Sequence, residues 1–300
     1  MATAQLQPLD YADSSPEESI HALAPVRPAW PSAWQWALFA LQVFLVSMVE
    51  VGDDILRGNF WRPNSHEALN NARDVATFEA SHGFFVEPSL QHFFQQSHHL
   101  WGFVLTWTAV THLADDVYAF CHIFVTLAVV AWLFVDHRGR FVLVRNVVFL
   151  TNTLALVGYE LFPMAPPRLA SGLQYAGHSV HFQDTMRHVL GTGTLNGTPI
   201  AYNPFSAMPS LHVAWALIVG ACLLLIAHNP LIRILGVIYP ILMIFTVVIT
   251  ANHFLLDAVG AAVAAALATV LALGLQALAG RLRRPQARLR LCPHTTSRSP

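Results

Sequence analysis

Two histidines and one aspartate in the C-terminal third of the sequence have the types and spacing of a phosphoryl-transfer site. His253 and Asp257 are four positions apart, so on a helix their side chains lie on one face. A carboxylate one turn away accepts a hydrogen bond from one imidazole nitrogen, which fixes the tautomer and leaves the other nitrogen free to attack phosphorus. His212 lies in the first turn of another predicted helix, where an imidazole can protonate a leaving-group oxygen.

Arg168 is the candidate cation for binding phosphate. It follows Pro166 and Pro167, whose rings stiffen the backbone, and a guanidinium matches phosphate oxygens in a bidentate way. An Arg at the end of an apolar run is also a common interfacial anchor. Both interpretations stand when the residue is considered alone.

Two predicted helix starts could add a positive field to this site. Asn252 is placed to cap a helix that begins at His253, and Pro209 suits the first position of a helix starting near Ser210. Two helix N-termini directed at one point offer free N–H groups and dipole ends to an anion. Each feature alone has a structural alternative, since polar pairs often close helix ends and Pro-Ser is a common helix start.

The elements that must position these residues are predicted to be membrane helices. Apolar residues make up 55% of the 300-residue chain and charged residues 11%, whereas soluble domains have about 25% charged residues. Several runs approach the roughly 20 apolar residues that cross a bilayer. We therefore predict an all-α, polytopic membrane helical bundle of about six transmembrane helices with interfacial or re-entrant helices. The predicted spans are Trp34–Val51, Tyr118–Val135, Val142–Phe162, Ser210–Ala227, Leu231–Thr250 and Phe254–Ala279.

The remaining segments are predicted to lie outside the bilayer. Residues 1–32 read as a disordered cytoplasmic tail, about 59–113 as an interfacial region, about 169–206 as an extracytoplasmic loop, and 281–300 as a basic cytoplasmic tail, with the transmembrane domain covering 33–280. Within the interfacial region, His98–His112 is apolar but short, and we predict a re-entrant piece. Glu160 and His122 are possible cavity-facing residues, although a packed position at a helix start is the simpler interpretation of His122.

Arginines set the predicted orientation. Arg138, Arg140 and Arg145 share one predicted loop, Arg233 lies in another, and Arg281, Arg283, Arg284, Arg288 and Arg290 lie in the tail. A six-span bundle puts all three groups on one side, which the positive-inside rule makes cytoplasmic. Both termini are then cytoplasmic, and the site faces the extracytoplasmic side, most simply of the plasma (inner) membrane. The net charge of −1 gives no reason to expect a nucleic-acid partner.

Three stretches resemble the motifs of the type 2 phosphatidic acid phosphatase superfamily, and most of all its inositol phosphorylceramide synthase-like branch. They are P-M-A-P-P-R (Pro163–Arg168), A-M-P-S-L-H-V-A-W-A (Ala207–Ala216) and T-A-N-H-F-L-L-D-A-V-G (Thr250–Gly260), and the similarity covers roughly Asn71 to Ala279. The resemblance implies the following roles: His253 as the nucleophile oriented by Asp257, His212 as the acid, and Arg168, Ser210, Asn252 and Pro167 as the substrate-binding set.

The chain departs from the phosphatase pattern at three points. Leu161 and Val247 stand where that pattern has a Lys and an Arg, and Pro-Ser-Leu-His replaces the commoner Pro-Ser-Gly-His. Two phosphate-binding cations are therefore absent. The synthase-like branch tolerates these absences.

The resulting hypothesis is an enzyme that acts on a lipid-linked phosphate ester in the bilayer through a phospho-histidine, without a metal or other cofactor. Activity that is sensitive to a chelator would count against it. Transfer to a lipid or glycolipid alcohol, such as transfer of inositol phosphate, is favoured, and hydrolysis of a lipid phosphate or pyrophosphate by water is the alternative. The rival class is a non-catalytic lipid-binding or transport protein that has kept the scaffold.

Overall fold

The structure, a computed structural model, describes residues 30–59, 64–96, 98–100, 103–170, 172–175, 178–185, 194–195, 198–199 and 203–290. Its architecture is an all-α bundle with short hairpins in the loops, which confirms the predicted fold class. The helices are α1 (Ala33–Asn59), α2 (Ser65–Ser81), α3 (Glu87–Gln95), α4 (Trp107–Asp116), α5 (His122–Asp136), α6 (Arg138–Leu161), α7 (Leu211–Ile226), α8 (Pro230–Ile249) and α9 (Leu255–Arg290). The antiparallel hairpins pair β1 (His98–Leu100) with β2 (Phe103–Leu105), β3 (Leu173–Tyr175) with β4 (His178–Val180), and β5 (Thr194–Leu195) with β6 (Thr198–Pro199).

Apolar helices make the chain an integral membrane protein. Within the described residues, the helices long and apolar enough to cross a bilayer are Trp107–Asp136, Arg138–Leu161, Pro230–Ile249 and Leu255–Arg281, and Ala33–Val49 and Leu211–Ile226 are shorter apolar helices. Large apolar side chains such as Phe124, Leu225 and Val270 are exposed on the outer surface of the bundle. Lipid rather than water is the medium that suits such a surface.

The stretch His98–His112 differs from the predicted re-entrant piece. Its first half forms the β1–β2 hairpin, and its second half begins a helix capped by Thr106, whose hydroxyl accepts the third backbone N–H at 3.2 Å. This helix continues through one π-helical turn into α5 and ends at Asp136. The prediction of a separate piece was wrong because Val110 packs with Ile249 of α8 in a local core, which extends the helix beyond the predicted start of the span.

Helices α2 and α3 cover the end of the bundle where the three motifs lie. Asn64 caps α2 by accepting the backbone N–H of His66 at 3.1 Å. The buried face of α2, which includes Ala68 and Ala72, packs with Met164 and other residues of the motif loops. These helices therefore form a layer on the loops rather than another part of the apolar bundle.

The α7–α8 hairpin is held by direct backbone contact. Asn229 caps α8 through the N–H of Leu231 at 2.9 Å, which gives the tight turn that the sequence predicts. A Cβ added to Gly220 would lie 2.4 Å from the carbonyl oxygen of Gly236. Pro240 lacks the N–H that would bind this carbonyl within α8.

The predicted tails lie largely outside the described residues. Residues 1–29 and 291–300 fall outside them, as do residues 186–193 of the predicted extracytoplasmic loop. Residues 281–290 continue α9 as a helix.

Candidate active site

Backbone hydrogen bonds hold the three motif-bearing loops together. The N–H of Met164 donates to Phe205 O at 2.9 Å, and the N–H of Ala207 donates to Met164 O at 3.3 Å, so the first two motif loops run side by side. The N–H of Arg168 donates to Ala251 O at 3.0 Å and ties the first loop to the third. Residues more than eighty positions apart therefore meet at one end of the bundle.

The imidazole of His253 is oriented by two acceptors. Its Nδ1 lies 2.7 Å from Ala207 O and 3.2 Å from Asp257 Oδ2. A carbonyl oxygen can only accept, so Nδ1 carries the proton and Nε2 keeps the lone pair. Asp257 is completely buried, and its Oδ2 also accepts the N–H of Phe254 at 2.9 Å. This arrangement suits Nε2 to act as a nucleophile.

His212 faces this imidazole from the first turn of α7. The ring centres of His212 and His253 are 6.3 Å apart. Tyr118 stacks on His212 with a centroid distance of 4.0 Å, and His122 contacts its ring at 4.2 Å. The Nδ1–H of His122 donates to Tyr118 O at 2.7 Å, which fixes the orientation of that ring.

His122 and Tyr118 are neighbours of the site that the sequence signals only weakly. His122 lies inside an apolar run, where a packed histidine was the simpler interpretation. The residues are four apart on one helix, so both reach the same point on α7.

Ser210 caps the start of α7. Its hydroxyl accepts the N–H of Val213 at 3.5 Å, so Ser210 is the cap and Pro209 lies before the helix rather than at its first position. The backbone N–H of Ser210 donates to Asp257 O at 3.3 Å, and the residue is completely buried. This N–H therefore joins α7 to α9 and is not available to a phosphate.

Arg168 is held by partners from two other segments. Its Nε donates to Asn252 Oδ1 at 2.8 Å, and its Nη1 lies 3.4 Å from Asp184 Oδ1. Asn252 Nδ2 in turn donates to the hydroxyl of Thr250 at 2.8 Å. Pro167 begins the short 3₁₀ turn that carries Arg168. Asn252 thus orients the guanidinium, and its predicted role as a helix cap is wrong because α9 begins later, at Leu255.

The first N–H groups of α9 already have intramolecular acceptors. The N–H of Leu255 donates to Glu87 Oε1 and the N–H of Leu256 donates to Glu79 Oε1, each at 2.6 Å. The expectation that α9 presents free N–H groups to a phosphate is therefore wrong, because two side chains from α2 and α3 occupy them.

The described part of the long loop after Arg168 is fixed over the site. The backbone carbonyl of Gln183 accepts from Gln91 Nε2 at 3.3 Å, and the backbone N–H of Gln183 donates to Gln91 Oε1 at 3.1 Å. The hydroxyl of Thr185 donates to Asp115 Oδ1 at 2.8 Å. Asp184, between them, is thereby brought to Arg168. Polar residues about seventy to ninety positions apart in the sequence carry no signal of such pairing.

The positions that lack the phosphatase cations bring no charged side chain to the site, although the carbonyl of Val247 accepts the N–H groups of His253 and Asn252, each at 3.1 Å. Val247 is completely buried in the bundle core, and Leu161 is 76% exposed at the end of α6. Glu160, a possible cavity-facing acid, is also exposed. All the predicted site residues lie at one end of the bundle: His253, Asp257, His212, Arg168, Asn252, Ser210 and Pro167.

Comparison with known proteins places the same part of the chain in one family. A family model described as PAP2 superfamily matches residues 73–271, which include all three motifs and the helices that carry them. No curated protein and no solved structure matches the chain.

Proposed function

The chain belongs to the PAP2 superfamily, and from this premise we propose that it transfers or hydrolyses the phosphate of a lipid-linked phosphate ester through a phospho-histidine. The observation that carries the proposal is the environment of His253. Its Nδ1 is held by Ala207 O and Asp257, while the ring of His212 lies 6.3 Å away, centre to centre. A nucleophile and a proton donor whose rings lie this close together suit a double displacement at phosphorus.

In the first step, Nε2 of His253 attacks phosphorus. A P–N bond forms as the P–O bond to the leaving group breaks, and His212 gives its proton to the departing oxygen. The positive charge on the phosphorylated imidazole is offset by Asp257, which accepts from Nδ1. In the second step, water or an alcohol attacks phosphorus, its proton passes to His212, and His253 is released.

Arg168 is the proposed phosphate-binding cation. Its guanidinium is held through Nε by Asn252, which fixes the orientation of the planar group. Asp184 contacts Nη1 at 3.4 Å and is the group that a phosphate dianion would compete with. The donors are held by protein contacts before substrate arrives, so little reorganisation accompanies the reaction.

A lipid substrate is supported by an apolar cavity near the histidines. The cavity has a volume of about 260 Å³ and lies between α1, α5, α6 and α7. Its lining includes Val46, Leu127 and Trp215, with His122 also in the wall. Because His122 contacts His212, part of an acyl or isoprenoid chain in this cavity could connect with a phosphate at the site.

The acceptor divides two versions of the proposal. The absence of the two phosphatase cations, at Leu161 and Val247, favours a transferase of the inositol phosphorylceramide synthase-like kind, with a lipid or glycolipid alcohol as acceptor. Hydrolysis by water is the alternative. A non-catalytic lipid-binding or transport protein is the second alternative, and the ordered His253–Asp257 contact argues against it.

We further propose that the site faces the extracytoplasmic side and that both termini are cytoplasmic. The short α5–α6 connection is followed by Arg138 and Arg140, and Arg233 lies in the first turn of α8. Both segments lie at the end of the bundle opposite His253. The positive-inside rule favours the cytoplasm for this end.

Trapping the intermediate tests the proposal. Purified protein incubated with phosphate-labelled lipid should retain acid-labile, alkali-stable phosphate on His253, and His253→Ala should retain none. His228→Ala, in the turn at the other end of α7, is the control and should label like wild type. Mass spectrometry of the lipid phosphates distinguishes water from an alcohol acceptor. Labelling that persists in His253→Ala would overturn the mechanism, and a protein that binds lipid without any adduct would belong to the non-catalytic class.

A further inference from the structure

Two buried glutamates hold the start of the helix that carries Asp257. Glu79 on α2 and Glu87 at the start of α3 are both completely buried. Their Oε1 atoms accept the N–H groups of Leu256 and Leu255, each at 2.6 Å. Side chains from two separate helices therefore cap consecutive N–H groups of a third.

The second oxygens of these carboxyls require a proton. With both groups ionised, Glu79 Oε2 and Glu87 Oε2 have no donor among the described residues. The two carboxyls nevertheless lie side by side, because their Oε1 atoms accept the N–H groups of the consecutive residues Leu256 and Leu255. Two carboxylate oxygens can meet in this way only if one carries a hydrogen, because two buried negative charges side by side repel.

The surroundings of the pair favour retention of that proton. Burial, and then the charge of Glu87, raise the pKa of Glu79 to about 9, and burial also raises the pKa of Glu87. The other titratable group that acts on both is Asp257, which is negative when ionised. The rings of Phe85 and Phe254 pack 6.3 Å apart in the same buried cluster. The pair therefore keeps one proton at neutral pH.

We propose that Glu79 and Glu87 share one proton and act as a positioning pair, the carboxyl clasp, that fixes the first turn of α9 against α2 and α3. Asp257 lies in this turn and His253 lies two residues before it. If the turn shifts, the contact between His253 Nδ1 and Asp257 is lost with it. The clasp itself touches no substrate. The hydrogen bonds of the clasp do not depend on the proposed function. Only the activity measured for the clasp variants rests on that function.

A shared proton makes a distinctive prediction for glutamine variants. In Glu79→Gln, the amide oxygen accepts from Leu256 and the amide N–H donates to Glu87, so the clasp survives. In Glu87→Gln, the amide oxygen accepts from Leu255 and the amide N–H donates to Glu79, so the clasp survives here too. In the double variant, two amide NH₂ groups face each other without an acceptor, and the clasp fails. Two ionised carboxylates that act independently would instead give additive effects.

The pH dependence has a definite sign. The pKa of Glu79 is raised in the folded protein, so the folded state binds the proton more tightly than the unfolded chain. The stability contributed by the clasp is complete below the ordinary pKa of 4.5, declines as the pH rises above it, and is lost as the pH passes about 9. In Glu79→Gln no proton can leave, so this decline should disappear.

The experiment combines a structural readout with activity. Thermal unfolding and amide hydrogen exchange of the peptide around Leu255 and Leu256 are measured in detergent between pH 6 and pH 10. Each single Gln variant should keep exchange rates and activity within about threefold of wild type. The double variant and Glu79→Ala should exchange about tenfold faster or more and lose about 10- to 100-fold in activity. Glu67→Gln, exposed on the same helix, is the matched control.

Two outcomes would overturn the inference. One is a double Gln variant whose fold-changes in exchange rate and activity equal the product of the fold-changes in the two single variants. The other is a wild-type melting temperature with the same pH dependence as that of Glu79→Gln. The exchange and melting data need no substrate, so they still test the clasp if the protein proves to have no transferase or phosphatase activity.

Discussion

The His253 ring has two acceptors at the same nitrogen, and this decides how the site depends on each partner. Ala207 O lies closer to Nδ1 than Asp257 Oδ2 does, at 2.7 against 3.2 Å. The backbone carbonyl alone can fix the tautomer. The carboxylate then contributes its charge, which stabilises the imidazole once it is phosphorylated.

Asp257→Asn should therefore be less damaging than loss of the nucleophile. We expect kcat to fall about 10²-fold, compared with about 10⁴-fold or more for His253→Ala. The substituted Asn still offers an oxygen to the N–H of Phe254, so the turn should persist. Steady-state kinetics of both variants beside Asp136→Asn, at the other end of the bundle, test this. Equal losses for Asp257→Asn and His253→Ala would mean that the carbonyl does not hold the ring.

Arg168 and Asn252 should act as one unit. Arg168→Lys removes the Nε–H that Asn252 accepts, so Asn252→Ala should cost little more in that background. We expect a coupling of about 1 kcal/mol in kcat/KM from the double-mutant cycle. The control is a cycle of Arg168→Lys with Asn146→Ala. It should be additive, because the Asn146 side chain contacts Arg145. Additivity in the Asn252 cycle would show that this contact does not position the guanidinium.

The helices carry this site through their ends and their close contacts. The α7–α8 hairpin brings the second and third motifs to the same end, and the two helices meet at Gly220 and Gly236. A Gly-to-Gly contact brings two backbones together without side chains between them, a packing mode suited to membrane helices. This contact in the middle of the hairpin thus fixes how far apart the motif-bearing ends of α7 and α8 lie.

Gly220→Ala should destabilise the hairpin. The new Cβ would meet the carbonyl oxygen of Gly236 at 2.4 Å, and a backbone atom cannot rotate away. We expect the melting temperature in detergent to fall by about 5 °C or more. Gly274→Ala, where an added Cβ meets nothing within 4 Å, should leave it unchanged or raise it, because Ala favours a helix. A stable Gly220→Ala protein would show that the two helices can separate at no cost.

The whole molecule has an apolar bundle with a polar layer on one end. Helices α2 and α3 and the described part of the long loop cover the motif loops, and Glu79, Glu87 and Gln91 reach from this layer into the bundle. Gln91 Nε2, for example, donates to Ile249 O at 3.0 Å. The layer therefore supports the site from the side that we propose is extracytoplasmic.

Cysteine labelling tests this orientation. The native cysteines are Cys121, Cys222 and Cys292, and they are first replaced by Ser. Ser179→Cys, exposed in β4, should react with a membrane-impermeant maleimide in intact cells. Gly139→Cys, exposed at the start of α6, should react only after permeabilisation. The reverse pattern would place the site on the cytoplasmic side.

The composition of the sequence was sufficient for the membrane class, and its spacing singled out the histidines and the arginine of the motifs as candidates. Apolar run length and the i, i+4 spacing of His253 and Asp257 are local properties, and local properties can be read along the chain. The helix starts were less predictable. Asn252 and Pro209 are residue types that are common at helix starts. Neither occupies the predicted position, because contacts from other segments fix the ends of α7 and α9.

The partners of these residues depended on folding. Ala207 offers His253 a carbonyl that every residue possesses, so no side chain announces it. Glu79, Glu87 and Asp184 are ordinary acids in the sequence, and they gain their roles only when α2, α3 and the long loop pack on the motif loops. Which groups could do chemistry follows from residue type, whereas their tautomer, charge and orientation follow from neighbours that are distant along the chain.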